Sequence, residues 1–189
     1  MQWNNLPSDI TIDKLSQIVS RLECNSAVRF LSNIMRESRI YILNDCLDLV
    51  MNHVRSDRKE VGGILLGRVF ENNLSVTPVD KPVVLILSAV SSEVCRNSPV
   101  SLEMDTEIWN RVNSRVDDKC IVVGWYHSHP NIGAYFSGTD RRTQRAFFNH
   151  PYSVGLVIDP FRNERKLYFG MDAEEYQSEL LILNHGLAI

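Results

Sequence analysis

Three side chains stand at a spacing that could hold a metal ion: His127, His129 and Asp140. Histidines at i and i+2 of an extended segment project to the same side, so His127 and His129 can form a pincer. Pro130 stops the strand and turns the chain. Asp140 follows eleven residues after His129 and can return on the first turn of a helix to supply an oxygen ligand. Two imidazoles and one carboxylate leave the fourth tetrahedral position open for water, the pattern of catalytic rather than structural zinc. By itself an H-x-H pair is weak, because two surface or core histidines are the commoner arrangement, and a nearby aspartate helps only moderately. Ser137 and Asp140 also fit a capping box, S-x-x-D. Glu60 taken alone fits a surface carboxylate at a strand end. Trp125 and Tyr126 read as packing residues, His53, His150 and His185 as surface residues, and Asp159 as a turn residue before Pro160.

The elements that must carry these residues can be read from periodicity. Residues 8–38 show two apolar stripes at helical spacing, Ile12, Leu15, Ile18, Val19, Leu22 and then Val28, Leu31, Ile34, Met35, broken at Asn25-Ser26. This predicts a helical hairpin, packed on the main domain or offered as a docking surface for a protein partner. Residues 39–43 predict a short strand. Asn44 is the expected N-cap of a helix carrying Leu47, Val50, Met51 and Val54. Further strands are expected at 60–70, 74–79, 83–90, 120–126, 152–159 and 166–171. Further helices are expected at 102–116, 140–149 and 173–184. A turn is expected at Glu71-Asn72-Asn73, and loops at 91–101 and 131–136. The order fits an α/β domain in which a curved mixed β-sheet packs against helices.

Composition narrows the function classes. A chain of 189 residues fits one domain, here 39–189, with an N-terminal helical extension, 1–38. A net charge of -3 gives no electrostatic ground for nucleic acid or an anionic membrane. No apolar run approaches the length of a membrane span, and Met1 to Leu6 are not expected to begin a signal peptide. The four cysteines lie far apart with no C-x-x-C pair, which argues against a disulfide framework or a Cys-based zinc finger. Cys46 and Cys120 are expected in the core. A cytoplasmic protein with free thiols is the expectation.

The pattern becomes specific when its parts are joined. Glu60, then His127-Ser128-His129, seven residues, Ser137, two residues and Asp140 resembles the JAMM (MPN-plus) metallopeptidase signature at every position. The flanks are similar as well: Glu-x-x-Gly-x-Leu-Leu-Gly at 60–67, Gly124-Trp125-Tyr126, Ser-Gly-x-Asp at 137–140 and Val157-Ile158-Asp159-Pro160. The resemblance covers roughly residues 39–172, and 1–38 lie outside it. It implies the MPN/JAB fold, distantly similar to cytidine deaminases. It implies that His127, His129 and Asp140 hold zinc, that Glu60 is the general acid–base, and that Ser137 donates to the developing oxyanion. It further implies a peptidase removing ubiquitin or a ubiquitin-like protein after a Gly-rich tail. The segment 91–101 is then the expected cover of that tail.

The structural second zinc of the endosomal-type relatives has no counterpart between residues 149 and 151, and a compact chain is what the resemblance implies for a member from a bacterial ubiquitin-like conjugation system, some of them antiviral. Two readings stay open beside this one: a zinc-bound but non-catalytic interaction module, and a peptidase processing a sulfur-carrier protein or a small peptide. Deaminase chemistry is disfavoured, because the chain has no P-C-x-x-C segment.

Overall fold

The computed structural model describes residues 39–71, 82–92, 106–117 and 119–183, with residues 13, 14, 16, 17 and 32 before them. Among the described residues the strands are β1 (Asp13–Lys14), β2 (Ile40–Leu43), β3 (Gly62–Glu71), β4 (Val83–Ser91), β5 (Ile121–Ser128), β6 (Val154–Asp159), β7 (Glu164–Phe169), β8 (Glu174–Glu175) and β9 (Leu181–Leu183). The helices are α1 (Asn44–Ser56), α2 (Thr106–Asn113) and α3 (Gly138–Phe147). They form the expected architecture, one mixed sheet between helices. Its order is β8-β7-β6-β5-β3-β4-β2-β9, with β1 paired to the far end of β3. No described helix is long and apolar enough to cross a membrane.

The sheet has an apolar core on each face. Cys46, Leu47, Val50 and Val54 of α1 pack on one face with Leu65, Ile86, Val123 and Tyr126. Ile108 and Val112 of α2 pack on the other with Ile64, Leu66, Trp125, Phe136 and Phe148. Burial of this kind is the main stabilising term, about 25 cal/mol per Å² of apolar surface.

A bulge in β5 decides where the candidate ligands point. β3 pairs Leu65 with Gly124 but Leu66 with Val122, so Val123 is the extra residue. Ile121 and Val123 face the α1 side, whereas Trp125 faces the other. Without the bulge, odd-numbered residues would all face α1, since a slip of one residue reverses a strand's faces. The bulge therefore sends His127 to the same face as Trp125 and Ser128 to the α1 face. A second bulge, where β4 skips Leu87 opposite Leu66 and Gly67, adds local bending at the same level of β3.

β5, α3 and β6 make a β-α-β unit with parallel strands. In such a unit the strand's carboxyl end and the helix's amino end meet at one edge. That edge is where His127, His129 and Asp140 come together.

Several local expectations are corrected. Asp13–Lys14, expected inside a helix, pair parallel with Phe70 and Glu71, because β5 stops opposite Gly67 and leaves those backbone groups without a β5 partner. Residues 16, 17 and 32 are helical, and the rest of the expected hairpin lies outside the described residues. The N-cap of α1 is Leu43, with no side-chain cap bond. Asn44 is already helical, and its amide donates to Asp48 at 2.9 Å. The expected helix at 173–184 is replaced by β8 and β9. β9 pairs parallel with β2 through Leu181, Ile182 and Leu183, so an open sheet edge outweighed a weak helical pattern. α2 is shorter than expected, its predicted start lying outside the described residues. The strand at 74–79, the turn at 72–73 and most of the loop at 91–101 also lie outside them.

Candidate metal centre

Each candidate ligand is delivered by a different local device. His127 is the penultimate residue of β5. His129 lies just beyond, and its N–H donates to Ile158 O at 2.8 Å, continuing the β5–β6 pairing. Asp140 stands at position N3 of α3, where a capping box holds it. The Asp140 N–H donates to Ser137 Oγ at 3.2 Å, and the Ser137 N–H donates to Asp140 Oδ2 at 2.6 Å. A carboxylate in a first helical turn also meets the positive end of the helix dipole.

The donor atoms then stand at metal-binding separations. His127 Nε2 lies 3.2 Å from His129 Nε2, and 3.4 Å from Asp140 Oδ1. His129 Nε2 lies 3.7 Å from Asp140 Oδ2. Tetrahedral zinc with ligands at ~2.0–2.1 Å needs donors about 3.3–3.4 Å apart, so the cluster fits with small adjustment. Among the described residues this is the group of histidine, cysteine and acidic side chains able to hold a metal.

Protonation agrees with the geometry. Burial pushes the Asp140 carboxyl up, but bonding and charge from His127 and the two bonds with Ser137 outweigh it and hold it down at about 2. Burial and the neighbouring His127 lower His129, against Asp140, Glu60 and Gly133, which raise it. An ionised carboxylate and a neutral imidazole are the forms that bind metal.

Glu60 completes the cluster from the adjoining segment. Its Oε1 lies 3.8 Å from His129 Nε2. Its side chain is 44% exposed, against 4% for His129 and 12% for Asp140. The candidate ligands are thus buried, while the cluster's second carboxylate faces solvent. Burial raises the Glu60 carboxyl above its ordinary value; His129 opposes and Asp140 reinforces this.

All five sequence-predicted site residues therefore meet at one edge, with Ser137 seen as the helix cap. The sequence reading missed the side chains that support them. Ser128 points to the opposite face from the histidines, is fully buried, and its Oγ accepts from the Val61 N–H at 2.9 Å. Its own N–H donates to Val61 O at 2.8 Å. This pair of bonds zips the Glu60-Val61 segment to the end of β5. Its one signal in the sequence was its place between the two histidines, where alternation turns it inward.

Asp159, expected as a turn residue, is fully buried and organises two loops. It accepts from the N–H groups of Asn131 (3.2 Å), Gly133 (2.8 Å), Phe161 (3.0 Å) and Arg162 (3.2 Å). Burial pushes its carboxyl up, but these donors prevail and hold it below the ordinary carboxylate value. Gly133, at φ +91°, is in turn the acceptor for His129: its carbonyl lies 3.3 Å from Nδ1. A bond there places the proton on Nδ1 and leaves the Nε2 lone pair for a metal.

Two histidines expected at the surface are half-buried: His53 bonds Tyr126 Oη through Nδ1 at 2.8 Å, and His150 stacks on Tyr152. His185 lies outside the described residues. Trp125 and Tyr126 are buried, as expected. Cys46 is buried, Cys120 half-buried, and both are free.

Comparison with known proteins shows the family and the fold. Residues 38–150 match the family described as JAB1/Mov34/MPN/PAD-1 ubiquitin protease. The chain is 31% identical over 118 residues to COP9 signalosome complex subunit 5 of Caenorhabditis elegans, covering 61% of this chain and 30% of that protein. It is 30% identical over 128 residues to 26S proteasome non-ATPase regulatory subunit 14 of Dictyostelium discoideum, covering 67% and 40%. It is 28% identical over 138 residues to the Lys-63-specific deubiquitinase BRCC36 of Xenopus tropicalis, covering 72% and 52%. The chain thus spans about a third to a half of these relatives. A solution structure of a Desulfitobacterium hafniense protein shares the fold, with a TM-score of 0.54 and 17% identity over 77% of this chain and 94% of that one.

Proposed function

Because the chain belongs to the JAB1/Mov34/MPN/PAD-1 family, we propose that it is a zinc-dependent isopeptidase that removes ubiquitin or a ubiquitin-like protein from a conjugate or precursor. The observation that carries this is the pairing of three buried donors at tetrahedral separations with a solvent-facing Glu60 carboxylate 3.8 Å from His129. A non-catalytic module would need the donors alone.

His127, His129 and Asp140 would hold the ion, which when bound supplies Lewis-acid polarisation of the scissile carbonyl and acidifies water. Glu60 takes a proton from the attacking water as its oxygen adds to the carbonyl carbon. The same carboxyl then gives that proton to the departing amine nitrogen as the C–N bond breaks. The Ser137 oxygen accepts from Asp140 N–H, which leaves its hydroxyl hydrogen to donate to the carbonyl oxygen as negative charge develops; one such donor is worth about 2.7–4 kcal/mol. A Gly-rich tail is extended and thin enough to lie along a sheet edge as an added strand. The segment 91–101 is our candidate for its cover, and 1–38 for a docking surface of a protein partner. A cytoplasmic setting belongs to the same reading.

Glu60→Gln tests it. Zinc content should match wild type, while turnover of a ubiquitin fused through a Gly-Gly amide should fall by at least ~10²-fold. Wild-type turnover in a zinc-loaded Glu60→Gln protein would end the proposal.

A further inference from the structure

A ligand histidine is ordinarily oriented by a hydrogen bond at its other ring nitrogen. His129 has one, to Gly133 O. His127 does not: its Nδ1 is buried and has no hydrogen-bond partner among the described residues. Something else must hold the ring. The His127 ring lies flat against Trp125, with centroids 4.6 Å apart and planes 11° from parallel. A stack fixes tilt but lets rings slide. Sliding of Trp125 is stopped by its indole N–H, which donates to Gln144 Oε1 at 2.6 Å.

Gln144 is fully buried and lies on α3 four residues after Asp140, one turn along the same face. Its amide nitrogen donates to Gly170 O at 3.0 Å and reaches Ser153 O at 3.5 Å. These carbonyls flank the paired ends of β6 and β7. One side chain thus ties the helix that carries Asp140 to the ring that backs His127, and both to the rigid sheet.

We propose that Gln144 is a positioning residue that sets the 3.4 Å separation of His127 and Asp140 and thereby the metal affinity of the site. The inference rests on the reading of His127, His129 and Asp140 as metal ligands.

The test is zinc affinity of the full chain, measured by competition with a chromogenic chelator, alongside the thermal midpoint of the zinc-free protein. Gln144→Met keeps the volume and removes every side-chain hydrogen bond. It should weaken zinc binding by ~10–100-fold, the size typical of losing a group that orients a ligand. Gln144→Glu keeps the acceptor for the indole but turns an oxygen toward the Gly170 and Ser153 carbonyls, so it should restore only part of that loss. Trp125→Phe keeps a stacked ring without the N–H and should weaken zinc binding by at least ~10-fold. It carries the same test should Gln144→Met fail to fold. Combined with Gln144→Met it should add little, as expected of two residues acting through one contact. A folded Gln144→Met or Trp125→Phe protein that binds zinc as wild type does, even with a lowered thermal midpoint, would reduce Gln144 to a packing residue and overturn the proposal. A wild-type chain that binds no zinc would overturn the metal reading beneath it, a separate and recognisable result.

Discussion

The proposed mechanism gives Ser137 two separable duties, and substitutions can divide them. As N-cap of α3 it accepts the Asp140 N–H; as a hydroxyl it can also donate. Ser137→Ala loses both, so stability should fall by about 1 kcal/mol and kcat by ~10²–10³-fold. Ser137→Asp keeps a competent cap and has no hydrogen to donate when ionised. Its urea midpoint should stay near wild type while kcat falls as in Ser137→Ala; equal activity of Ser137→Asp and wild type would remove the donor role. Asp140→Asn keeps an acceptor for the Ser137 N–H but loses the charge, and should lose zinc, read by metal content after dialysis, with a modest change in melting. At this scale the sequence was most informative. His127, His129, Asp140 and Glu60 are residue types whose chemistry is intrinsic, and their spacing, weak piece by piece, resembles a family signature once joined. Ser128, Gln144 and Asp159 were not legible, since a serine, a glutamine and a turn aspartate acquire their roles only from the partners the fold brings to them.

The loop between β5 and α3 is held from outside by the end of β6. Asp159 gathers the N–H groups of Asn131 and Gly133, and the Gly133 carbonyl meets His129. Replacing Asp159 with Asn puts an amide hydrogen among four donors and should cost at least ~1.5 kcal/mol near pH 7. The pH dependence has a definite sign. A carboxyl held below its unfolded value contributes stability that is complete above about pH 3.8 and drains as pH falls through the lower folded value. Asp159→Asn should therefore flatten the acid limb of a stability–pH curve, measured by urea unfolding between pH 2 and 5. An unchanged acid limb would contradict the assignment. Gly155 gives a second element-scale test, because a Cβ there would run into the Phe136 ring. Gly155→Ala should displace the segment leading to Ser137 and cost about 1–3 kcal/mol, read by thermal melting. The β5 bulge at Val123 was invisible in sequence for a simple reason. Residues 121–126 are apolar apart from Gly124, so no polar–apolar alternation marked which face each residue takes. The helix expected at 173–184 failed similarly: Leu181–Leu183 fit either period, and the open edge of β2 decided.

Over the whole molecule, one sheet with a core on each face carries a site at the edge where β5, β6 and α3 converge. The overall architecture was legible because element order and apolar runs determine layers, whereas the pairing of β1 with β3 and of β9 with β2 depends on which sheet edges remain open. A metal held by residues from β5, the loop beyond it and α3 should stabilise the fold as a unit. Free zinc at 100-fold over its dissociation constant adds ~2.7 kcal/mol, so chelation should lower the thermal midpoint and added zinc should restore it. The most direct measurement of the central claim is turnover on a panel of ubiquitin and ubiquitin-like proteins fused through a Gly-Gly amide, with wild-type chain before chelation, after it, and after zinc is returned. The account predicts cleavage after the Gly-Gly of at least one fusion, lost on chelation and regained with zinc. A zinc-loaded wild-type chain that cuts none of the fusions, or cuts them equally well without metal, would contradict it.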